Sequence, residues 1–204
     1  MRLPGVVAVV AFSACHMLTA FAQVSAGSGH LIEQDESVSI STRYLLMDPQ
    51  GRAVTNEDFR GRYQLITFGF VSCSDVCPTT LLEFKHILHA LGDKAQHLQA
   101  IFVTVDPERD TGEILHAYTD AFDSRILGLT GSPELVRRAA ENFRVEFEKV
   151  GEPGARPDIY TMNHTAGMFL LDTRGRFVAR FAYTLPASEI AERIRLAIVA
   201  GGFR

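Results

Sequence analysis

Leu65 to Phe70 is a short apolar run rich in aromatic and β-branched residues, the composition of a buried strand. The run breaks at Ser72, and Pro78 then fits the first turn of a helix, where its missing N–H leaves no bond unmade. Beyond it Leu81, Phe84, Leu88 and Leu91 repeat at helical spacing, with Ile87 alongside. The stretch is strand, tight turn, helix. It is the first of a series of alternating strand–helix units, and alternation of that kind implies a mostly parallel sheet with helices packed on both faces.

The remaining chain extends the pattern in both directions. Arg43–Met47 and Arg52–Val54 flank the turn Asp48-Pro49-Gln50-Gly51 as an N-terminal hairpin, and Thr55–Phe59 has the pattern of a short helical turn. Leu98–Val105 is a second apolar strand, followed by a loop whose last residue, Thr111, can cap a helix over Glu113–Ala121. Arg125–Leu129 is a short strand, Ser132 and Pro133 open a helix to Asn142, and Phe143–Val150 follows as a strand. Gly151–Asp158 is too rich in glycine and proline for regular structure. Met168–Asp172 and Phe177–Tyr183 form a C-terminal hairpin, and Pro186–Val199 is a closing helix. The expected fold is a mostly parallel central sheet flanked by helices on both faces, with added N-terminal and C-terminal hairpins.

Cys73 and Cys77 lie at the strand-to-helix junction, at i and i+4. The N–H groups and positive dipole end of a helix favour thiolate over thiol. Two low-pKa thiolates in one turn can exchange with disulfides or hold a soft ion such as Cu(I); a static bridge or an inert core pair is the plain alternative. A cysteine pair at this junction is the thioredoxin arrangement, but the spacer is three residues and not two. The wider pair suits a two-thiolate metal clamp without excluding closure to a disulfide.

A clamp of that kind wants a third ligand. His164 follows the Gly/Pro loop within Tyr160–Gly167 and leads into the Met168 strand, where it could swing over the cysteines or serve as a surface or core residue. Met162 and Met168 offer thioether sulfur but suit core packing better. His86 and His89 fall on the flank of their helix away from the apolar stripe and, without further ligands, fit a solvated face; His116 lies on the next helix and is expected to be only partly exposed.

Residues 1–22 contain Arg2, an uncharged apolar stretch from Val6 to Phe21, and the small-x-small pattern Ala20-Phe21-Ala22. They are expected to be a signal peptide or N-terminal membrane anchor, with lipidation of Cys15 as a third route. Residues 23–38, rich in Ser, Gly, Gln and Glu, suit a flexible tether, which leaves 39–204 as the folded domain. All three readings of the leader export that domain to a compartment that favours disulfides. A net charge of −4 and the absence of a basic run exclude nucleic acid as the main partner.

Phe68-Gly69-Phe70 with Cys73-x-x-x-Cys77-Pro78, then Val103-Thr104-Val105-Asp106-Pro107-Glu108-Arg109-Asp110-Thr111, then the distal His164 resemble the Sco/SenC family, with colinear motifs from about Tyr44 to Val199. The resemblance implies a thioredoxin-like domain on the periplasmic side of the bacterial inner membrane, anchored or secreted. It implies one copper ion, as Cu(I) or Cu(II), held by Cys73, Cys77 and His164, and a Cys73–Cys77 disulfide when the pair is oxidised. The implied role is delivery of copper to, or preparation of, the dinuclear copper centre of cytochrome c oxidase. On that reading the chain is a metallochaperone and not an enzyme in the turnover sense. The implied partners are oxidase subunit II or another cuproprotein, a periplasmic copper donor and a thiol reductant, with the chain a monomer. A thiol:disulfide oxidoreductase or redox sensor acting on target cysteines is the alternative. Asn163 stands where the family often has aspartate, and supplies no charge to raise ligand basicity. Asp75 and Asp106 are candidates for contacting the ligands or a partner, or are solvated loop carboxylates.

Overall fold

The computed structural model of the protein describes residues 40–73, 76–151, 154, 156 and 159–202. In chain order the strands and helices are β1 Leu45–Met47, β2 Ala53–Thr55, β3 Tyr63–Gly69, α1 Val76–Leu91, β4 Leu98–Thr104, α2 Gly112–Phe122, β5 Ile126–Leu129, α3 Pro133–Asn142, β6 Phe147–Val150, β7 Thr161–His164, β8 Met168–Leu171, β9 Phe177–Phe181 and α4 Ala187–Ala200. The leader, Cys15, the tether, Asp75 and most of the Gly151–Asp158 loop lie outside the described residues.

β1 and β2 pair antiparallel across a turn that Asp48 builds. Its buried carboxylate accepts the backbone N–H groups of Gln50 and Arg52, each at 2.9 Å, the local bonding that makes aspartate a turn former. Gly51 supplies the left-handed residue, at φ 77°. Thr55 and Asp58 then form a capping box on a 3-10 turn over Asn56–Phe59.

The central sheet runs β5-β4-β3-β8-β9. β3 pairs parallel with β4, and β4 with β5, while β8 is antiparallel to β3 and β9 to β8. Alternate residues of β3 face opposite layers. On one side the Tyr63 hydroxyl donates to the Ala197 carbonyl of α4 at 2.7 Å, and Gly69 meets Cys77 of α1. On the other, the Phe68 ring packs on Phe143, at the end of α3, with centroids 5.5 Å apart. Helices thus cover both faces, as expected. Leu65, Ile66, Phe102, Phe169 and Leu171 are fully buried between the layers, and each side chain of that size contributes about 1.5–3 kcal/mol by leaving water.

The stretch Phe143–Val150 departs from the expectation. Only Phe147–Val150 is extended, because Phe143 still caps α3 and Arg144 turns the chain at φ 57°. This strand does not join the central sheet. It pairs antiparallel with β7 as a separate two-stranded ribbon, so the central sheet consists of the parallel strands β3, β4 and β5 with the antiparallel C-terminal hairpin β8–β9 added as expected. His164 accordingly does not stand at the entrance of the Met168 strand but closes β7, opposite Phe147. Among the described residues no helix is long and apolar enough to cross a membrane.

Candidate metal centre

The two halves of the centre meet at the C-terminal ends of β3 and β4. Beyond β3 the chain makes a tight turn in which the Cys73 N–H donates to the Phe70 carbonyl at 3.3 Å. Asp110 holds that turn from below: its buried carboxylate accepts the Val71 N–H at 3.0 Å and the Thr104 hydroxyl at 2.7 Å. Burial raises the pKa of this carboxyl, against the pull of those two donors. Cys77 enters the first turn of α1, and its N–H donates to Cys73 Sγ at 3.5 Å. One sulfur therefore serves the helix end directly.

Both cysteines are reduced, and they differ in exposure. Cys73 is half-buried, whereas Cys77 is 2% exposed. Burial pushes the Cys77 thiol up to about 12, with the neighbouring Cys73 and Asp110 adding to the shift. The helix terminus was expected to give a low-pKa thiolate here. Desolvation outweighs it, because a buried anion loses more in leaving water than half a unit of dipole charge returns.

His164 comes over the site from the ribbon. Its Nε2 lies 3.6 Å from Cys77 Sγ, and its Nδ1 lies 3.1 Å from the Thr165 carbonyl. A carbonyl only accepts, so Nδ1 carries the proton and Nε2 presents its lone pair to sulfur. Burial lowers the His164 pKa, so the ring is kept neutral. The Phe70 ring stands edge-on to it at 6.1 Å. Asn163 does not reach the ring; its amide donates to Glu148 across the ribbon at 3.4 Å. The Thr165 carbonyl orients the imidazole instead.

The structure thus brings Cys77 and His164 into contact, with the Cys73 sulfur at the Cys77 N–H in the turn before α1. Among the described residues no three His, Cys, Asp or Glu side chains already converge as a metal cage. His86, His89 and His116 are exposed on their helices, and Met162 and Met168 are buried in the core. Asp106 is not a solvated loop carboxylate: it is buried and accepts from Arg109 and from the Tyr160 hydroxyl.

Two further residues shape the site. A Cβ on Gly69 would lie 2.8 Å from both Cys77 Sγ and the Phe102 ring, so only glycine lets sulfur and ring close over the strand. A glycine inside a strand is a signal of such close approach. Tyr118 packs edge-on against Phe102 at 5.9 Å, and its buried hydroxyl has no hydrogen-bond partner among the described residues. Burial raises its pKa, and the charges that add to this are those of Cys77, Cys73 and Asp110. Nothing in the helical periodicity of α2 marks it out from a core aromatic.

The sequence profile of the SCO1/SenC family matches residues 32–198. The SCO2-like protein of Rickettsia prowazekii is 31% identical over 158 residues, covering 78% of this chain and 77% of its own. Among solved structures, copper-bound ScoI from Bradyrhizobium japonicum is 38% identical with a TM-score of 0.71, covering 78% of this chain and 99% of its own. Apo Sco1 from Thermus thermophilus is 41% identical with a TM-score of 0.67, covering 78% and 89%. The fold is the thioredoxin-like one these proteins share.

Proposed function

The chain belongs to the SCO1/SenC family, and from that premise we propose that it is a copper metallochaperone whose cargo ion is held by Cys73, Cys77 and His164. The observation that carries this is the 3.6 Å separation of Cys77 Sγ and His164 Nε2, with Nδ1 engaged by a carbonyl. Taking zinc-like bonds of about 2.3 Å to sulfur and about 2.0 Å to nitrogen, that separation subtends about 110° at a shared ion. The spacing suits trigonal or tetrahedral coordination, and the two sulfurs select a soft metal. Cys73 completes the set by turning its sulfur from the Cys77 N–H toward the ion. Bradyrhizobium ScoI, 38% identical, holds copper.

The loading chemistry follows from the neutral resting pair. The Cys77 thiol donates to Nε2, and Cu(I) replaces that proton and, while Cys73 is a thiol, its proton as well: each S–Cu bond that forms breaks one S–H bond and sends one H⁺ to solvent. Nε2 is bare at the start and needs no proton removed. Delivery to, or preparation of, the dinuclear copper centre of cytochrome c oxidase is the recipient step we infer. Residues 1–22 would export or anchor the protein and 23–38 would tether it, setting the domain to work on the periplasmic side of the membrane.

A second reading, thiol:disulfide exchange, is favoured by one observation. Cys73 is half-buried and Cys77 buried, the asymmetry of an attacking and a resolving thiol. Copper stoichiometry separates the two. The reduced protein should bind one copper ion, and Cys73→Ser and Cys77→Ser should each abolish tight binding. Full stoichiometry in either variant contradicts the ligand set.

A further inference from the structure

The segment Asp106–Asp110 touches both halves of the metal centre. At its end, Asp110 holds the cysteine turn through the Val71 N–H. At its start, Asp106 is 1% exposed and accepts the Tyr160 hydroxyl at 2.8 Å. Between them, Arg109 pairs with Asp106, donates from Nη1 to the Tyr160 carbonyl at 2.9 Å, and stacks its guanidinium 3.8 Å from the centroid of the Tyr160 ring. Lys149 of β6 stands 4.7 Å from the centroid of the same ring and pairs with Glu108 at 2.6 Å. The segment itself is tied together: the Asp110 N–H donates to the Asp106 carbonyl at 2.9 Å, and the Asp106 N–H to the Thr104 hydroxyl at 2.9 Å.

Tyr160 directly precedes β7, and His164 ends it. Four extended residues span about 13 Å, so a grip on Tyr160 fixes one end of a short lever whose other end carries the imidazole. The far side of the ribbon offers less restraint, since Glu146 and Glu148 of the β6 side are exposed. The buried charge of Asp106 is satisfied by groups that also grasp Tyr160, which makes the grip strong. Hydrogen bonds to ionised groups contribute more than neutral ones, and the arginine fork is matched to this two-point contact.

We propose that Asp106, Arg109 and Tyr160 are positioning residues that act through His164. By joining the histidine ribbon to the segment that also holds the cysteine turn, they set the sulfur-to-imidazole spacing and with it the preference for Cu(II) over Cu(I). This rests on His164 being a ligand, and its weight falls on Cu(II), because Cu(I) accepts a two-sulfur site whereas Cu(II) needs the imidazole.

The test uses Tyr160→Phe, which removes the bond to Asp106 but keeps the ring, and Arg109→Lys, which keeps the charge beside Asp106 but cannot span to the Tyr160 carbonyl. In the metal-free protein, amide hydrogen exchange at residues 161–164 should quicken about tenfold in each variant, the size of one charge-assisted hydrogen bond, while exchange in β3 and β4 stays at its wild-type rate. With Cu(II) and Cu(I) titrated separately, Cu(II) affinity should fall about tenfold and Cu(I) affinity should hold. Unchanged ribbon exchange, unchanged Cu(II) affinity, or equal losses for both ions would overturn the proposal. His164→Ala is the control. If that variant keeps wild-type Cu(II) affinity, the ligand assignment fails, and the exchange data alone decide whether the grip on Tyr160 holds the ribbon.

Discussion

His164 Nε2 faces Cys77 Sγ at 3.6 Å, and the proton between them belongs to sulfur. Burial raises the thiol's pKa to about 12 and lowers that of the imidazole, so the two partners meet as neutral groups. The cost of keeping an anion out of water is deferred until a cation arrives to share the site.

Copper affinity should therefore rise with pH. Below about 12 the ion must displace the Cys77 proton, so the apparent Cu(I) association constant should climb by at least about tenfold per pH unit between about pH 6.5 and 8.5, and any proton released by Cys73 steepens the rise. His164, already neutral in this range, adds no opposing step. A flat profile by chelator competition would mean that the buried thiol is not the group being metallated. The same shift has a stability consequence of fixed sign. Because the folded pKa lies above the ordinary thiol value of about 8.5, the contribution of Cys77 is fully present below that value and is lost as pH rises toward about 12.

Oxidation should exclude the cargo. Both sulfurs must be free of each other to take copper, and a Cys73–Cys77 disulfide has no thiolate to offer. Copper uptake measured before and after reduction should go from none to one ion per chain. Equal uptake by both forms would remove the cysteines from the site.

Gly69→Ala should damage the centre from beneath. The new methyl would sit 2.8 Å from Cys77 Sγ and from the Phe102 ring, and relieving it must push the sulfur or the ring aside. Overpacking of this kind costs about 1–3 kcal/mol, read as a lower unfolding midpoint, and the displaced sulfur should weaken Cu(II) binding as well. A variant as stable and as tight-binding as the wild type would show that the strand tolerates a side chain there.

Tyr118→Phe should behave in the opposite sense. Its hydroxyl is buried and lacks a partner among the described residues, so deleting it removes a desolvated polar group and should leave stability unchanged or raise it by up to about 1–3 kcal/mol. A clear drop in the thermal midpoint would reveal a bond that the hydroxyl makes in solution.

Much of this was legible in the chain. The apolar run before Cys73, the proline after Cys77 and the Leu81–Leu91 stripe determine β3 and α1 by period and punctuation alone, and Ser132-Pro133 determines α3. The β6–β7 ribbon was not legible. Phe147–Val150 has strand composition, but four residues carry no record of which edge they will pair with, and Arg144 conceals the turn that redirects them. The cysteine environment is hidden for a related reason: the helix terminus is visible in sequence, while the burial that outweighs it depends on Phe102 and His164 arriving from β4 and β7. Asp106 likewise has the pattern of a loop carboxylate until Tyr160, fifty-four residues on, is brought against it.

Cu(II) affinity of His164→Ala, set beside its Cu(I) affinity, tests the centre most directly. With Cys77 and Cys73 intact, the variant should keep Cu(I), since a soft d¹⁰ ion accepts two sulfurs. Cu(II) affinity should fall by more than the roughly 10–100-fold that losing an outer partner of a ligand produces. Wild-type Cu(II) affinity in His164→Ala would contradict the three-ligand centre and leave the cysteine pair as a thiol–disulfide couple.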